Sequence, residues 1–99
     1  MNQFGEQIKQ LREEKGLLQR QVANQLEMDT PMLSKIERGE RTAKKEQVSK
    51  LAEILKANKE ELLTLWLADQ VYDVVKNEDH ADEALKSVSK KISTTKKKK

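Results

Sequence analysis

Apolar residues recur at helical spacing along the first half of the chain. In chain order, the groups are Phe4, Ile8 and Leu11; Val22, Ala23 and Leu26; Met32, Leu33 and Ile36; and Val48, Leu51, Ala52 and Leu55. Spacings of three and four residues place each group on one face of a helix. We therefore predict four short amphipathic helices, the first ending near Gly16 and the third at Gly39, because glycine readily adopts the left-handed conformation that follows a helix.

Two further helices are predicted in the second half of the chain. Asn58 and Glu61 form a box-like start for the fifth, whose apolar pattern continues through Trp66 towards Lys76. Asn77 to Asp79 interrupts this pattern. Apolar positions 81, 84, 85, 88 and 92 then predict a sixth helix.

The second and third predicted helices are separated by a tight turn at Glu27-Met28-Asp29. Asp29 is a good N-cap for the third helix, and Pro31 fits its first turn, where a missing N–H does no harm. Leu18 is a poor cap for the second helix, at a cost of ~1 kcal/mol. A left-handed backbone at Glu27 would cost roughly 1 kcal/mol more.

The outward face of the third helix carries small, polar and basic groups. They are Thr30, Pro31, Ser34, Lys35 and Arg38. The major groove of DNA admits a helix, and its base edges accept hydrogen bonds from such donors. This short pair of helices needs a surrounding core for stability, because isolated helices of this length are marginal in water.

These features together resemble a known family. The matching positions are Gln19, Ala23, Leu26, Met28, Leu33, Ser34, Ile36, Glu37, Arg38 and Gly39. This pattern, with the run IERGER, is similar to the helix-turn-helix of Cro/phage-repressor (XRE) type regulators, over about Phe4 to Trp66. The resemblance implies that Arg12 pairs with Glu37 and ties the first helix to the third. Part of the Arg12 side chain would then remain near a phosphate.

Candidate DNA contacts divide into base and backbone contacts. We expect base contacts from Thr30, Pro31, Ser34 and Lys35, and backbone contacts from Gln19, Arg38, Arg41, Lys44 and Lys45. Alternatives remain for two of these residues, Lys35 and Gln19, and for the neighbouring Met32. Lys35 could reach guanine or only a phosphate, Gln19 could be a surface residue without a contact, and Met32 could touch a thymine methyl group or belong to the core.

The distribution of charge supports a polyanionic partner. Residues 30–59 carry eight Lys/Arg and four Asp/Glu, whereas residues 60–89 carry two and eight, and residues 90–99 carry six and none. The basic segment coincides with the predicted recognition region, although basic residues could equally form a solvated surface. The basic end could attract DNA loosely or act only as a solubilising tail.

Several functional classes lack support in the sequence. The chain has no cysteine, one histidine and no glycine-rich phosphate loop, and its carboxylates are spread over solvated faces. We predict no catalytic residue, no metal site and no cofactor, hence no enzyme. The start of the chain lacks a signal-peptide pattern, and the longest apolar run is too short to span a bilayer, so a cytoplasmic location is expected.

The C-terminal helices carry more apolar surface than a core of this size needs. We expect a two-fold dimer interface that contains Leu65, Val71, Val74, Val75, Leu85 and Val88. The alternative is that the fifth and sixth helices cover each other within one chain. The expected organisation is a DNA-binding domain at residues 1–67, a dimerisation segment at 68–92 and a disordered basic tail at 93–99.

The sequence thus predicts an all-α fold: a five-helix repressor-like helix-turn-helix domain with an extended fifth helix and a C-terminal sixth helix. The expected function is that of a sequence-specific regulator that binds double-stranded DNA as a homodimer on a near-palindromic operator. The alternative is a protein-binding adaptor or antitoxin that uses its C-terminal helices to bind a partner protein.

Overall fold

The computed structural model describes residues 1–97 and contains six α-helices and no strand within that range. The helices are α1 (Gln3–Glu14), α2 (Gln19–Gln25), α3 (Thr30–Glu37), α4 (Lys45–Leu55), α5 (Lys59–Val75) and α6 (Ala81–Lys97). This architecture confirms the predicted all-α fold. None of these helices combines the length and apolar character needed to cross a membrane.

Local signals explain where the central helices begin and end. Asp29 accepts a hydrogen bond from the backbone N–H of Met32 at 2.8 Å, which caps α3 as predicted. Leu18 precedes α2 at the N-cap position and provides no side-chain cap, but its own N–H donates to Oε1 of Gln21 at 2.8 Å. Glu27 has a φ of 57° in the turn between α2 and α3, so a non-glycine residue does occupy a left-handed position there.

The core is built from the apolar faces of the first five helices. Its buried members are Phe4, Ile8, Val22, Ala23, Leu26, Leu33, Ile36, Ala43, Val48, Leu51, Ala52, Leu55 and Leu62. α1 packs against α3, α4 and α5, while α2 packs against α3 and α4 packs against α5. The helix pair α2–α3 is therefore held on a rigid base, as two helices of this length require.

Gly5 allows α1 to approach the end of α3 closely. A Cβ atom at Gly5 would lie 2.6 Å from the carbonyl oxygens of both Ile36 and Glu37. These are backbone atoms that cannot move without shifting α3. The absence of a side chain at Gly5 thus sets the distance between the first helix and the third.

Two polar residues fasten the start of α1. The side-chain oxygen of Asn2 accepts the N–H of Gly5 at 3.1 Å, and its Nδ2 donates to the carbonyl oxygen of Glu37 at 2.8 Å. Asp69 on α5 accepts the N–H groups of Gln3 and Phe4 at 3.1 and 2.8 Å. α5 therefore contributes to the packed domain beyond residue 67, and the predicted domain boundary lies inside a continuous helix.

The predicted tail, residues 93–99, overlaps the last part of α6. α6 continues as a helix through Lys97, and Thr94 Oγ1 donates to the carbonyl oxygen of Lys90 at 3.0 Å. Once a helix is nucleated, each added residue gains one backbone hydrogen bond, which explains the extension past Ile92. The predicted tail is thus helical over residues 93–97, while residues 98–99 lie outside the described part.

Candidate nucleic-acid interface

The two sides of α3 have opposite environments. Leu33, Ile36 and Glu37 are buried against the rest of the domain. The predicted base-contacting residues lie on the other side, with Pro31 and Lys35 exposed and Thr30 and Ser34 half-buried. Residues four apart on a helix are neighbours, so Thr30 with Ser34 and Pro31 with Lys35 form one continuous outward face. Met32 is partly buried and packs against the core.

A buried ion pair fixes α3 against α1. The guanidinium of Arg12 donates from Nε to Oε2 of Glu37 at 2.7 Å and from Nη2 to Oε1 at 3.1 Å. The side chains are only 10% and 3% exposed. The hydrogen bond to Glu37 raises the pKa of Arg12 above its ordinary value, against the opposing effect of burial. A third bond, from Nη1 to the carbonyl oxygen of Leu17 at 2.9 Å, ties the α1–α2 loop to this pair.

Gln19 joins the same network from the start of α2. Its Nε2 donates to Oε1 of Glu37 at 2.9 Å. Glu37 on α3 therefore links Arg12 of α1 with Gln19 of α2, and both of its carboxylate oxygens accept hydrogen bonds from these side chains. In this arrangement the amide nitrogen of Gln19 is directed at Glu37, and a phosphate contact by Gln19 must use its remaining N–H.

Arg38 is held by an acidic neighbour that the sequence analysis did not single out. Its Nε and Nη2 donate to the carboxylate of Glu40 at 2.7 and 3.2 Å, and Nη1 donates to Oγ of Ser34. The hydrogen bonds from Arg38, with added attraction from Lys35, lower the pKa of Glu40. The bonds to Glu40 likewise raise the pKa of Arg38. The positive charge of Arg38 is thus partly neutralised beside α3.

The loop between α3 and α4 presents the remaining predicted cations. Arg41, Lys44 and Lys45 are all exposed. The loop is anchored from beneath, because Ala43 is buried and its carbonyl oxygen accepts a hydrogen bond from Trp66 Nε1 at 2.7 Å. Arg41 and Lys44 line a shallow cleft beside α3. Arg41 and Lys44 are therefore mounted on a fixed loop next to the outward face of α3, and Lys45 follows as the first residue of α4.

A second cleft adds a residue that the sequence analysis missed. Lys9 on α1 lines the same surface depression as Gln19, Ser34 and Arg38. Lys9 lies on the exposed face of α1, where a single lysine gives no signal in the sequence. Its place beside Gln19 and Arg38 becomes evident once α1 is packed across α3 through Gly5. Glu6 lines this cleft as well and reduces its positive charge.

The comparison with protein families agrees with this geometry. A family model described as "Helix-turn-helix domain" matches residues 3–65, which span α1 to α4 and the first part of α5. The chain belongs to the helix-turn-helix domain family. No protein of curated function matches it in sequence. The α2–turn–α3 unit is the helix-turn-helix itself, and this family supports a DNA-binding role for the domain.

The predicted dimer-interface residues fall into two groups in the structure. Val71, Val74, Leu85 and Val88 are exposed, and Leu65 and Val75 are half-buried. Leu65 already packs against the core of its own chain, whereas Val74 is 75% exposed. The exposed group leaves apolar surface on the second half of α5 and along α6.

Proposed function

We propose that this helix-turn-helix protein is a sequence-specific transcriptional regulator of the Cro/phage-repressor (XRE) type, which binds double-stranded DNA as a homodimer. The observation that carries the proposal is the outward face of α3. Pro31 and Lys35 are exposed and Thr30 and Ser34 are half-buried, while Leu33 and Ile36 pack into the core and Glu37 at the end of α3 is locked to α1. A helix held rigidly from behind with small polar and basic groups in front suits the major groove.

Within this proposal, α3 reads base edges. Among the four predicted base-contacting residues, Lys35 has the longest side chain, and its ammonium group can reach O6 and N7 of guanine. The Pro31 ring can contact a thymine methyl group. The hydroxyls of Thr30 and Ser34 can hydrogen-bond to a donor or to an acceptor on a base edge. Ser34 accepts a hydrogen bond from the Arg38 guanidinium in the free protein, which leaves its own O–H able to donate to a base edge.

Residues around α3 hold the phosphate backbone in the same proposal. Arg41, Lys44 and Lys45 contact the phosphates on one side of the groove. Gln19 and Arg38, together with Lys9 from the second cleft, contact the phosphates on the other side. These contacts provide affinity and orientation but no sequence choice. Because each neutralised phosphate releases counterions, binding weakens steeply as salt is added.

A homodimer would place two α3 helices in successive major grooves. The exposed apolar residues of α5 and α6 supply surface for this association. The two recognition helices would lie about 34 Å apart, so the operator would be near-palindromic with half-sites about one helical turn apart. The same apolar surface supports the second candidate function, an adaptor or antitoxin whose C-terminal helices bind a different protein.

Selection of bound duplexes from a random pool, carried out at two salt concentrations, tests the proposal. We expect enrichment of one near-palindromic motif, and for about six neutralised phosphates a log–log salt slope near −5. A variant in which Arg41, Lys44 and Lys45 are changed to Gln serves as a control that keeps α3 intact and loses affinity on all duplexes. Recovery of random duplexes only would refute sequence-specific binding, and a flat salt response would refute the phosphate contacts. Capture of a stoichiometric protein partner with no DNA retained would favour the protein-binding adaptor.

A further inference from the structure

α6 has an apolar stripe that its own chain does not cover. Leu85, Val88 and Ile92 are 40%, 55% and 51% exposed. Within residues 81–96, Ala81 is half-buried and every other residue is exposed. A helix of this length gains little stability by itself in water, so a persistent α6 with an open apolar face calls for a covering surface.

The spacing of this stripe is that of a helix that pairs with another helix. Ala81, Leu85, Val88 and Ile92 are separated by four, three and four residues. This alternation places them at the two inward positions of a heptad repeat, the pattern of knobs-into-holes packing between two helices. The stripe is narrow, which suits one partner helix and does not suit burial in a core.

The charges of α6 indicate which helix it pairs with. Its first turn carries Asp82 and Glu83, and the remainder carries Lys86, Lys90, Lys91 and Lys96. Two copies of α6 side by side in the same direction would place like charges next to each other. Two copies in opposite directions place the acidic end of each beside the basic end of the other, and such complementarity selects the orientation.

A single antiparallel register satisfies both patterns. When Ala81 is opposite Ile92 of a second copy, Leu85 is opposite Val88 of that copy, because four residues forward on one helix correspond to four residues back on the other. In this register Asp82 and Glu83 lie at the height of Lys91 and Lys90 of the second copy. Glu83 and Lys90 lie on the outward side of the helix, and Asp82 and Lys91 flank the stripe, so the attraction acts between the acidic and basic ends as a whole and not through paired side chains. The pairing is two-fold symmetric, as a closed dimer demands.

We propose that α6 is a self-association helix, which pairs antiparallel with α6 of a second copy through Ala81, Leu85, Val88 and Ile92. This proposal rests on the homodimer proposed above and assigns its contact to one helix. The occupant is a second copy because the helix complements its own charge pattern. An anionic surface would complement only the basic part of α6.

Disulfide trapping tests the orientation directly, because the chain contains no cysteine. The two single variants are Ala81→Cys and Ile92→Cys, and one of them carries a tag so that mixed dimers can be recognised by size. Each variant is oxidised alone, and the two are also oxidised as an equimolar mixture. We expect a mixed disulfide dimer in the mixture and little dimer in either variant alone. In the antiparallel pair the two copies of residue 81 lie 11 residues apart along the axis, as do the two copies of residue 92; this is about 16 Å, which is beyond the reach of a disulfide.

The controls separate specific pairing from collision. Lys86→Cys lies on the outward side of the same helix, and its disulfide yield gives the background. Homodimers of Ala81→Cys would indicate a parallel pair and overturn the proposal, as would a mixture whose yield equals the Lys86→Cys background. Because α6 side chains lie outside the core, the variants leave the folded domain intact, which circular dichroism can verify.

Sedimentation provides a second readout. Val88→Lys is expected to weaken self-association at least tenfold, whereas Ser87→Lys adds the same charge on the outward side and has little effect. Equal effects of the two variants, or a wild-type chain that is monomeric at tens of micromolar, would contradict the proposal. If the selected DNA motif is near-palindromic and the disulfide test fails, the proposed function stands and the α6 contact alone is wrong.

Discussion

The carboxylate of Asp69 accepts the backbone N–H of Phe4 at 2.8 Å, although the two residues are 65 positions apart in the chain. The second carboxylate oxygen accepts the N–H of Gln3 at 3.1 Å. Asp69 thus satisfies two of the N–H groups that α1 leaves unpaired at its first turn, and its negative charge faces the positive end of the helix dipole. One side chain of α5 therefore fixes the start of α1, on which α3 is packed.

Replacing Asp69 by Ala is expected to lower the free energy of unfolding by about 1–2 kcal/mol, the cost of a lost helix cap. For a domain of this size this corresponds to a decrease in Tm of roughly 5–15 °C, measured by circular dichroism. Asp73→Ala is the matched control one turn later, because Asp73 makes only an exposed ion pair with Lys76 at 3.7 Å. Equal losses for both variants would refute the capping role of Asp69.

The ion pair between Arg12 and Glu37 gives the second prediction. Removing one partner leaves the other charged and buried, so Glu37→Leu and Arg12→Met are each expected to cost about 3–5 kcal/mol in urea unfolding. The double variant is expected to lose much less than the sum of the two, because it leaves no unpaired charge. If the losses in unfolding free energy of the two single variants add up to that of the double variant, the two residues contribute to stability independently.

Much of the fold was predictable because helices leave a local signature. The apolar spacing located all six helices, and Asp29 and Asn58 cap α3 and α5 as the sequence indicates. The Arg12–Glu37 pair was expected only from the family resemblance. No periodicity connects Asp69 with Phe4, or Asn2 with Glu37, because these bonds exist only after α1 and α5 have packed. Long-range polar contacts of this kind cannot be predicted from the local pattern of the sequence.

The candidate site shows the same limit. Lys35 and the loop cations stand out as basic residues beside a predicted helix, and they are exposed in the structure. The pairing of Arg38 with Glu40 depends on the reversal of the chain at Gly39, whose φ is 77°. A residue two positions away becomes a partner only through that left-handed turn. The sequence alone therefore predicts a DNA contact for Arg38 but does not reveal the carboxylate that competes for it.

The left-handed backbone at Glu27 gives the third prediction. Because its φ of 57° is unfavourable for a residue with a side chain, Glu27→Gly is expected to stabilise the domain by about 0.5–1 kcal/mol. Glu53→Gly is the contrasting control at an exposed helical position of α4, where glycine is expected to cost about 1 kcal/mol. Destabilisation by both variants in thermal unfolding would mean that the turn tolerates Glu27 without strain.

Lys35 gives the fourth prediction, which concerns sequence choice. If Lys35 bonds to a guanine, Lys35→Ala is expected to reduce discrimination at one base pair of each half-site by about 1–3 kcal/mol. Binding to a panel of single-substitution operators, measured by fluorescence anisotropy at one salt concentration, reports this loss. Lys50→Ala removes an exposed lysine from α4 and serves as the control. Uniform weakening on every operator would reassign Lys35 to a phosphate.

The pairing of Arg38 with Glu40 gives the last prediction. Glu40→Gln removes the charge that holds Arg38, so we expect tighter binding on all duplexes and a salt slope steeper by about one. Glu53→Gln makes the same charge change on α4 and is expected to alter affinity less.

In the free protein, the pKa of Glu40 is lowered, so the pair is complete above the ordinary glutamate pKa and is lost as the pH falls through the lowered value. An NMR titration is expected to show this lowered pKa in the wild type and its return towards the ordinary value in Arg38→Ala. If Glu40 titrates identically in both proteins, the carboxylate does not hold Arg38 in solution, and the tighter binding of Glu40→Gln should disappear with it.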